Sequence, residues 1–224
     1  FEKAGIIKEN IPVVLGAQIN SNALNEITKV AGNKNSKIYV ADKSNLKTDL
    51  KGIYQQYNCD IACKAISLLK NRFKITDLDI KTGLLTVSKS AQLRGRWEIL
   101  NKKPLVIADI GHNLQAFKMI ANELKTHSNK TIYFILGISD DKNIAQMLSI
   151  LPKDINYIVT KPSTARATSS DELKNKMKNF NSVSEIKGAN NAFIRAKELA
   201  NSDDLIFIGG SAFLVAEILQ DFFL

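Results

Sequence analysis

Short apolar runs alternate with amphipathic stretches through the second half of this chain. A continuous apolar run predicts a buried strand, and apolar residues spaced three or four positions apart predict a helix. The predicted strands lie at residues 97–100, 105–108, 132–136, 157–160 and 205–208. Strands that alternate with helices in this way predict a Rossmann-like α/β domain, in which a mostly parallel sheet is flanked by helices.

The first half of the chain predicts fewer elements. Two short strands and two helices are expected at residues 11–15, 37–41, 21–31 and 58–73. Residues 75–91 predict further helix, which we expect Gly83 to interrupt because glycine is a poor helix former. The R-G-R sequence at residues 94–96 then indicates a domain boundary, which gives domains at residues 1–93 and 94–224.

The strand predicted at residues 105–108 ends in a group of polar residues. Asp109 and His112 follow it closely, and Asn113 precedes an amphipathic stretch. Ligands of open α/β sheets bind at the carboxyl ends of the strands, so we expect both Asp109 and His112 to face an open cleft there. The structural alternative is that Asp109 and Asn113 only turn the chain, and that Asn113 caps the helix.

Composition narrows the class of protein. The net charge of +9 comes mostly from scattered lysines, so we expect anionic small-molecule substrates and no nucleic-acid partner. Cys59 and Cys63 lie four residues apart in a helical pattern and predict reduced core residues. We find no apolar run of membrane-spanning length and no signal peptide, and expect a cytoplasmic protein without a membrane partner. Because the chain opens on Phe1, we also expect it to be part of a longer protein.

Several familiar catalytic motifs do not occur in the sequence. There is no Gly-Lys dipeptide, hence no Walker-type phosphate loop, and no G-x-G of the dinucleotide fingerprint. The only histidines are His112 and His127, so a zinc site of standard spacing is not expected. The nucleophile elbow G-x-S-x-G is absent as well. The residues alone therefore predict an α/β domain with a ligand site beside Asp109.

Six short motifs add a more specific signal. They are E-K-A-G-I-I-K at residues 2–8, R-G-R at 94–96, D-I-G-H-N at 109–113, G-I-S-D-D-K-N at 137–143, P-S-T-A-R-A at 162–167 and G-G-S at 209–211. In order and spacing this set resembles the folylpolyglutamate and dihydrofolate synthases of the Mur ligase superfamily. The departures are Gly111 and Leu114, where the family has D-x-A-H-N-P; the missing proline removes a rigid first helical residue.

The resemblance implies an ATP-dependent ligase that adds L-glutamate to dihydropteroate or folate. ATP would phosphorylate the acceptor carboxylate, Mg²⁺ would neutralise the transferred phosphate, and the amine of glutamate would attack the acyl phosphate. Residues 1–93 would be the C-terminal part of the central ATP-binding domain, and residues 94–224 the glutamate-ligase domain. The phosphate loop and the metal ligands are expected upstream of Phe1, so the chain alone is expected to be inactive.

The resemblance also assigns catalytic roles to two residues. Lys3 matches the lysine that the family carbamylates, a modification that needs an unprotonated amine and turns a cation into an anion. His112 matches a histidine of the catalytic site, which we interpret as orienting glutamate or phosphate. The alternative for Lys3 is an ordinary surface lysine.

Four further residues match ligand contacts of the family. Asn58 and Arg96 match ATP contacts, and the planar fork of Arg96 suits phosphate oxygens. Asp109 matches a nucleotide contact, accepting from ribose hydroxyls. Ser211 opens a helix, where the carboxylate of glutamate could bind. The structural alternatives are helix caps at Asn58 and Ser211 and packing at the domain junction for Arg96; Lys142 is a weaker candidate.

Two other functions remain open. The chain could belong to another Mur-type ligase, one of cell-wall synthesis, which has the same domain and a different acceptor. It could also be a ligand-binding α/β domain without catalysis. For the main interpretation we expect a monomer whose partners are ATP, L-glutamate, and folate or dihydropteroate.

Overall fold

The protein divides into two compact units in a computed structural model that describes residues 2–139 and 143–223, without the side chains of Glu2 and Lys3. Unit 1 consists of Phe1–Leu50 and Tyr54–Gln92. Unit 2 consists of Lys51–Ile53 and Leu93–Leu224. Within the described ranges, none of the helices combines the length and apolar character that crossing a membrane requires.

Unit 1 contains a short parallel strand pair and several helices. After a 3₁₀ helix at Glu2–Ile6, its elements are β1 (Val13–Leu15), α1 (Ser21–Asn33), β2 (Ile38–Val40), α2 (Gln55–Phe73), α3 (Asp77–Leu85) and α4 (Val87–Ser90). Cys59 is buried and Cys63 is half-buried, and both are free thiols. Burial raises the pKa of the Cys59 thiol, as expected of a core residue.

Unit 2 is a six-stranded sheet flanked by helices, which confirms the predicted α/β fold. Its strands are β3 (Glu98–Lys102), β4 (Leu105–Asp109), β5 (Ile132–Leu136), β6 (Asn156–Val159), β7 (Ser182–Glu185) and β8 (Leu205–Gly209). Its helices are α5 (Leu114–Lys125), α6 (Ile144–Ser149), α7 (Ser170–Lys176), α8 (Ala189–Leu199) and α9 (Ala212–Phe222). The strand order is β3-β4-β8-β5-β6-β7, and only the β3–β4 pair is antiparallel among these described strands.

The centre of the sheet is β8, which pairs with β4 on one side and β5 on the other. Its sequence, L-I-F-I-G, is buried along its whole length, as a strand covered on both faces requires. Ile206 and Ile208 belong to a core cluster with buried residues of α8 and α9. Aromatic contacts link Trp97 to Phe207, Phe207 to Phe134 and Phe134 to Tyr157, at centroid distances of 5.2, 4.8 and 5.4 Å.

Every predicted strand is present, with ends within two residues of the observed ones. One strand, β7, was missed because its sequence, S-V-S-E, contains a single apolar residue. The expectation that Gly83 interrupts the helix is wrong: α3 continues through Gly83 and ends at Leu85. The break comes at Thr86, whose hydroxyl donates to the Thr82 carbonyl at 2.9 Å.

Replacement of Gly83 by alanine tests this continuity. A methyl group at Gly83 meets no atom within 4 Å. Alanine should therefore raise the free energy of unfolding of unit 1 by about 0.5–1 kcal/mol, because it loses less backbone freedom than glycine on folding. Urea denaturation followed by circular dichroism measures the change. Gly188→Ala, at a residue with φ of 88°, should destabilise instead; a neutral or destabilising Gly83→Ala would mean that the helix does not continue.

Candidate functional site

Five of the six sequence motifs meet at the carboxyl edge of the sheet in unit 2. The amino end of β3 lies at this edge too, because β3 runs antiparallel to β4. The backbone contacts that join the motifs are Ile110 N to Gly95 O at 2.9 Å, Gly137 N to Gly209 O at 3.3 Å, and a bridge between Ser139 and Ala167. The sixth motif, at residues 2–8, belongs to unit 1. The loops that sequence reasoning selected are therefore neighbours in space within one unit.

Asp109 holds two of these loops. Its side chain is buried, with the residue 3% exposed. Oδ2 accepts a hydrogen bond from the Trp97 N–H at 2.8 Å, and Oδ1 accepts one from the Gly111 N–H at 2.8 Å. The expectation that this carboxylate faces an open cleft is wrong, because both oxygens point at backbone donors inside the protein. The structural alternative, in which Asp109 fixes the chain at this position, describes it better.

The segment that Asp109 holds has an unusual backbone. Gly95 has φ of 66° and Trp97 has φ of 51°, so both lie in the left-handed region. A Cβ at Gly95 would come within 2.6 Å of Ile110 Cγ2, which excludes any larger residue. Positive φ is rare for a bulky side chain such as tryptophan. Burial of the indole against Phe207 and the bond to Asp109 offset that strain.

Arg96 lies between these two left-handed residues and is half-buried. Within the part of the chain that the structure describes, its guanidinium forms no hydrogen bond or ion pair. Arg94 differs, because its Nε donates to Glu98 Oε1 at 2.6 Å. Of the two arginines in R-G-R, Arg96 is therefore the one whose whole guanidinium is unengaged by the described residues, whereas Arg94 uses Nε to bind Glu98.

His112 is exposed at the end of the same loop as Asp109. Its Nδ1 lies 3.1 Å from the Ile110 carbonyl. A carbonyl oxygen only accepts, so Nδ1 carries the hydrogen in this contact and Nε2 is left as the atom that can meet a ligand. Asn113 caps α5, with its side chain accepting from the Ala116 N–H at 2.9 Å, as the capping alternative predicts.

Ser211 is the N-cap of α9 and is 1% exposed. Its Oγ accepts from the Phe213 N–H at 3.2 Å and lies 3.5 Å from Ser139 Oγ. Gly210, with φ of 94°, permits the close approach here, because a Cβ would come within 2.8 Å of the Gly137 carbonyl. The plain N-cap is therefore present, and the hydroxyl itself is buried.

Two glutamates that sequence reasoning missed anchor neighbouring loops. Glu98 Oε2 accepts from the Gly95 N–H at 2.7 Å. Glu217 accepts from the Ser163 N–H at 2.6 Å and from the Ser163 hydroxyl at 3.1 Å. The spacing of Arg94 and Glu98 was visible in the sequence, but four-residue spacing has meaning only inside a helix. Nothing in the sequence marked Glu217, because the bond joins residues far apart in the chain.

Two further candidates, Asn58 and Lys3, belong to unit 1. Asn58 is exposed in the first turns of α2 and donates to Gln55 Oε1 at 3.0 Å. It is not a helix cap, because α2 begins at Gln55. The backbone of Lys3 lies in the 3₁₀ helix, but its side chain is not among the parts that the structure describes. Lys142 also lies outside the described residues.

A buried carboxylate, Asp60, was also missed in unit 1. It accepts from the Ser44 N–H at 2.9 Å, from the Ser44 hydroxyl at 2.7 Å and from Gln56 Nε2 at 3.1 Å. Burial alone would raise the pKa of Asp60, but these hydrogen bonds outweigh burial and hold the pKa below its ordinary value. Through residues 2–139 and 143–223, no three Asp, Glu, His or Cys side chains come together as a metal site requires.

Unit 2 is an α/β domain whose mostly parallel sheet carries glycine-rich and charged loops at its carboxyl edge, the edge at which open α/β sheets bind ligands. The sequence model of the Mur ligase glutamate ligase domain matches residues 95–212. The chain therefore belongs to the Mur ligase family, as its motifs predicted.

Curated relatives carry the names that the resemblance suggested. The dihydrofolate synthase/folylpolyglutamate synthase of Buchnera aphidicola subsp. Schizaphis graminum is 26% identical over an alignment 231 residues long, which covers 98% of this chain and 55% of that protein. The Escherichia coli protein of the same name is 23% identical over 98% of this chain and 54% of its own length. This chain thus spans about half the length of these relatives.

Solved structures agree with the fold. The bifunctional folylpolyglutamate synthase/dihydrofolate synthase of Yersinia pestis, complexed with AMPPNP and Mn ion, has a TM-score of 0.79 at 22% identity and covers 100% of this chain and 56% of its own. Mycobacterium tuberculosis folylpolyglutamate synthase complexed with ADP has a TM-score of 0.81 at 17% identity, with 98% and 57% covered. The α/β unit 2 is the fold of this family's C-terminal domain.

Replacement of Asp109 by asparagine tests its role as a loop anchor. The side-chain amide nitrogen of asparagine would face one of the two backbone N–H groups. Two donors would then meet inside the protein, and neither would have an acceptor. The free energy of unfolding should fall by roughly 1–3 kcal/mol. Asp203→Asn removes an exposed carboxylate and should change it by less than about 0.5 kcal/mol, as should His112→Ala. Chemical denaturation of the three variants decides; an unchanged Asp109→Asn would mean that the carboxylate is not a structural anchor.

Proposed function

We propose that this chain supplies the glutamate-ligase domain, and the C-terminal part of the ATP-binding domain, of a folylpolyglutamate/dihydrofolate synthase. The observation that carries the proposal is the meeting of five family motifs at one sheet edge. Relatives of that name align with nearly the whole chain, which supports it further. The domains are proposed as residues 1–93 and 94–224. The reaction joins the amine of L-glutamate to an activated carboxylate of dihydropteroate or folate.

Arg96 is proposed to bind the phosphates of ATP. The residues present fit this group, because a guanidinium without a partner among the described residues lies at the carboxyl edge where ligands bind. A planar fork of N–H donors can contact two phosphate oxygens at once. ATP would supply the phosphoryl group that activates the acceptor carboxylate. Arg96 binds and orients that phosphate and balances its charge.

His112 and the start of α9 are proposed to hold L-glutamate. His112 presents Nε2, since Nδ1 is engaged by the Ile110 carbonyl. The N-terminus of α9 favours a carboxylate, because its first N–H groups lack helical partners. Ser211 would shape this turn, since its buried hydroxyl already accepts from Phe213. In this proposal Asp109 acts on the nucleotide only through the loops that it fixes.

Two residues of unit 1 are also proposed to take part in the reaction. Lys3 would act as a carbamate, and Asn58 would contact ATP. Asn58 is exposed, which leaves part of its amide available. The described residues do not offer a metal site. Mg²⁺ and the phosphate loop are proposed to be held by a segment that these 224 residues do not contain. The enzyme is proposed to act in the cytoplasm, and as a monomer, as the resemblance implies.

Reconstitution tests the proposal. We define the assembled ligase as this chain joined at Phe1 to the part of the Escherichia coli relative that the chain does not match. It should release ADP only when glutamate and dihydropteroate or a folate are supplied, and the chain alone should release none. ADP release by the chain alone would contradict the proposal. Turnover with a UDP-linked muramoyl acceptor would favour a cell-wall ligase, and ligand binding without turnover would favour a binding domain.

Arg96 provides the sharper prediction in the assembled ligase. Arg96→Ala should lower kcat/KM for ATP by roughly a hundredfold or more, since it removes a charged contact to the transferring phosphate. Arg96→Lys should restore only part of this loss, because lysine lacks the bidentate fork. Steady-state rates at varied ATP measure the effect, with Arg195→Ala on α8 as an exposed control. Wild-type behaviour of Arg96→Lys would exclude the bidentate role, and a loss of stability with unchanged kinetics would make Arg96 a packing residue.

A further inference from the structure

The segment 94–97 is fixed on both sides of Arg96 by two carboxylates. On one side, Glu98 accepts from the Gly95 N–H at 2.7 Å and from Arg94 Nε at 2.6 Å. On the other, Asp109 accepts from the Trp97 N–H at 2.8 Å. Glu98 lies opposite Ala108 in the β3–β4 ladder, so both carboxylates are mounted on rigid neighbouring strands. The backbone on either side of Arg96 is thus restrained by charge-assisted hydrogen bonds, which are among the strong ones.

This restraint holds a conformation that the chain would not otherwise favour. Gly95 and Trp97 both have positive φ, and Trp97 is a bulky residue for which this is strained. Strained residues persist only where the surroundings over-determine them, and they concentrate at functional sites. Here the strained Trp97 and the left-handed Gly95 bracket Arg96, the one residue of the segment whose charged group lacks a partner in the described part of the chain.

We propose that Glu98 is a positioning residue for Arg96. It fixes the Gly95 peptide, and together with the bond between Asp109 and Trp97 it restricts the direction in which the Arg96 side chain leaves the backbone. The ion pair between Glu98 and Arg94 is secondary, because the two side chains are 25% and 36% exposed and such pairs contribute little. The inference deepens the proposed function and rests on it, since it takes Arg96 as the group that meets the phosphates of ATP.

A double-mutant cycle in the assembled ligase tests the positioning role. Glu98→Ala should lower kcat/KM for ATP about tenfold, and in the Arg96→Ala background it should change kcat/KM less than about twofold, because its effect passes through Arg96. KM for glutamate should stay unchanged, whereas a general loss of folded structure would alter both substrates. Glu98→Gln, which keeps one oxygen for the Gly95 N–H, should recover part of the loss.

Glu198→Ala is the matched control. It also removes a glutamate paired with an arginine, Arg195 at 2.9 Å, but this glutamate is exposed on α8 and accepts from no backbone N–H of the described residues. This variant should leave kcat/KM for ATP and KM for glutamate unchanged.

Amide hydrogen exchange in the 224-residue chain checks the geometry without catalysis, because Glu98→Ala should speed exchange at Gly95 and leave Gly111 protected.

The outcomes separate the two proposals. If Arg96→Ala leaves ATP kinetics unchanged, the proposed role of Arg96 is wrong, and the positioning role is wrong with it. If Arg96→Ala lowers kcat/KM and Glu98→Ala does not, or if their losses multiply, Glu98 does not act through Arg96 and the proposed function stands. If the Gly95 amide exchanges at the same rate in the Glu98→Ala variant as in the unchanged chain, the positioning role is likewise overturned.

Discussion

Two backbone N–H groups, those of Trp97 and Gly111, converge on the carboxylate of Asp109. A carboxylate accepts hydrogen bonds and does not donate, so its two oxygens can join two loops that each present a donor. Arg96 immediately precedes the first donor and His112 immediately follows the second. The positions of these two candidate side chains therefore depend on one buried group. Glu98 and Glu217 act in the same way on neighbouring loops, because the carboxylate of each accepts a hydrogen bond from a backbone N–H.

Most of the fold could be predicted because its signal is local. The apolar runs of β4, β5 and β8 are continuous, and a strand buried on both faces needs that pattern. The edge strand β7 has one apolar residue, so periodicity could not reveal it; only its pairing with β6 defines it. The position of β8 between β4 and β5 is a non-local fact, which no window of sequence contains. At Gly83 propensity gave the wrong answer, since the helix context outweighs a weak former.

For the candidate site, the motifs indicated the right loops but not the task of each residue. An aspartate after a buried strand has the same sequence pattern whether it meets a ligand or holds a backbone, and only its burial separates the two. Asp109 is buried and His112, three residues later, is exposed, although the sequence pattern predicted that both would face an open cleft. Likewise R-G-R could not reveal that Arg94 is paired with Glu98 and Arg96 is not engaged in this way. Glu217 and Ser163 meet only after α9 has folded onto the sheet.

The central place of β8 governs the order in which unit 2 can form during synthesis. β4 and β5 emerge early, yet neither pairs with the other; each waits for residues 205–209. Until those residues leave the ribosome, the nascent chain exposes two apolar strands with unpaired edges, which is the kind of intermediate that aggregates or requires a chaperone. Such long-range pairing also slows folding. The loops at the carboxyl edge, including Asp109 beside Gly209, can take their final geometry only after residues 205–209 have joined the sheet.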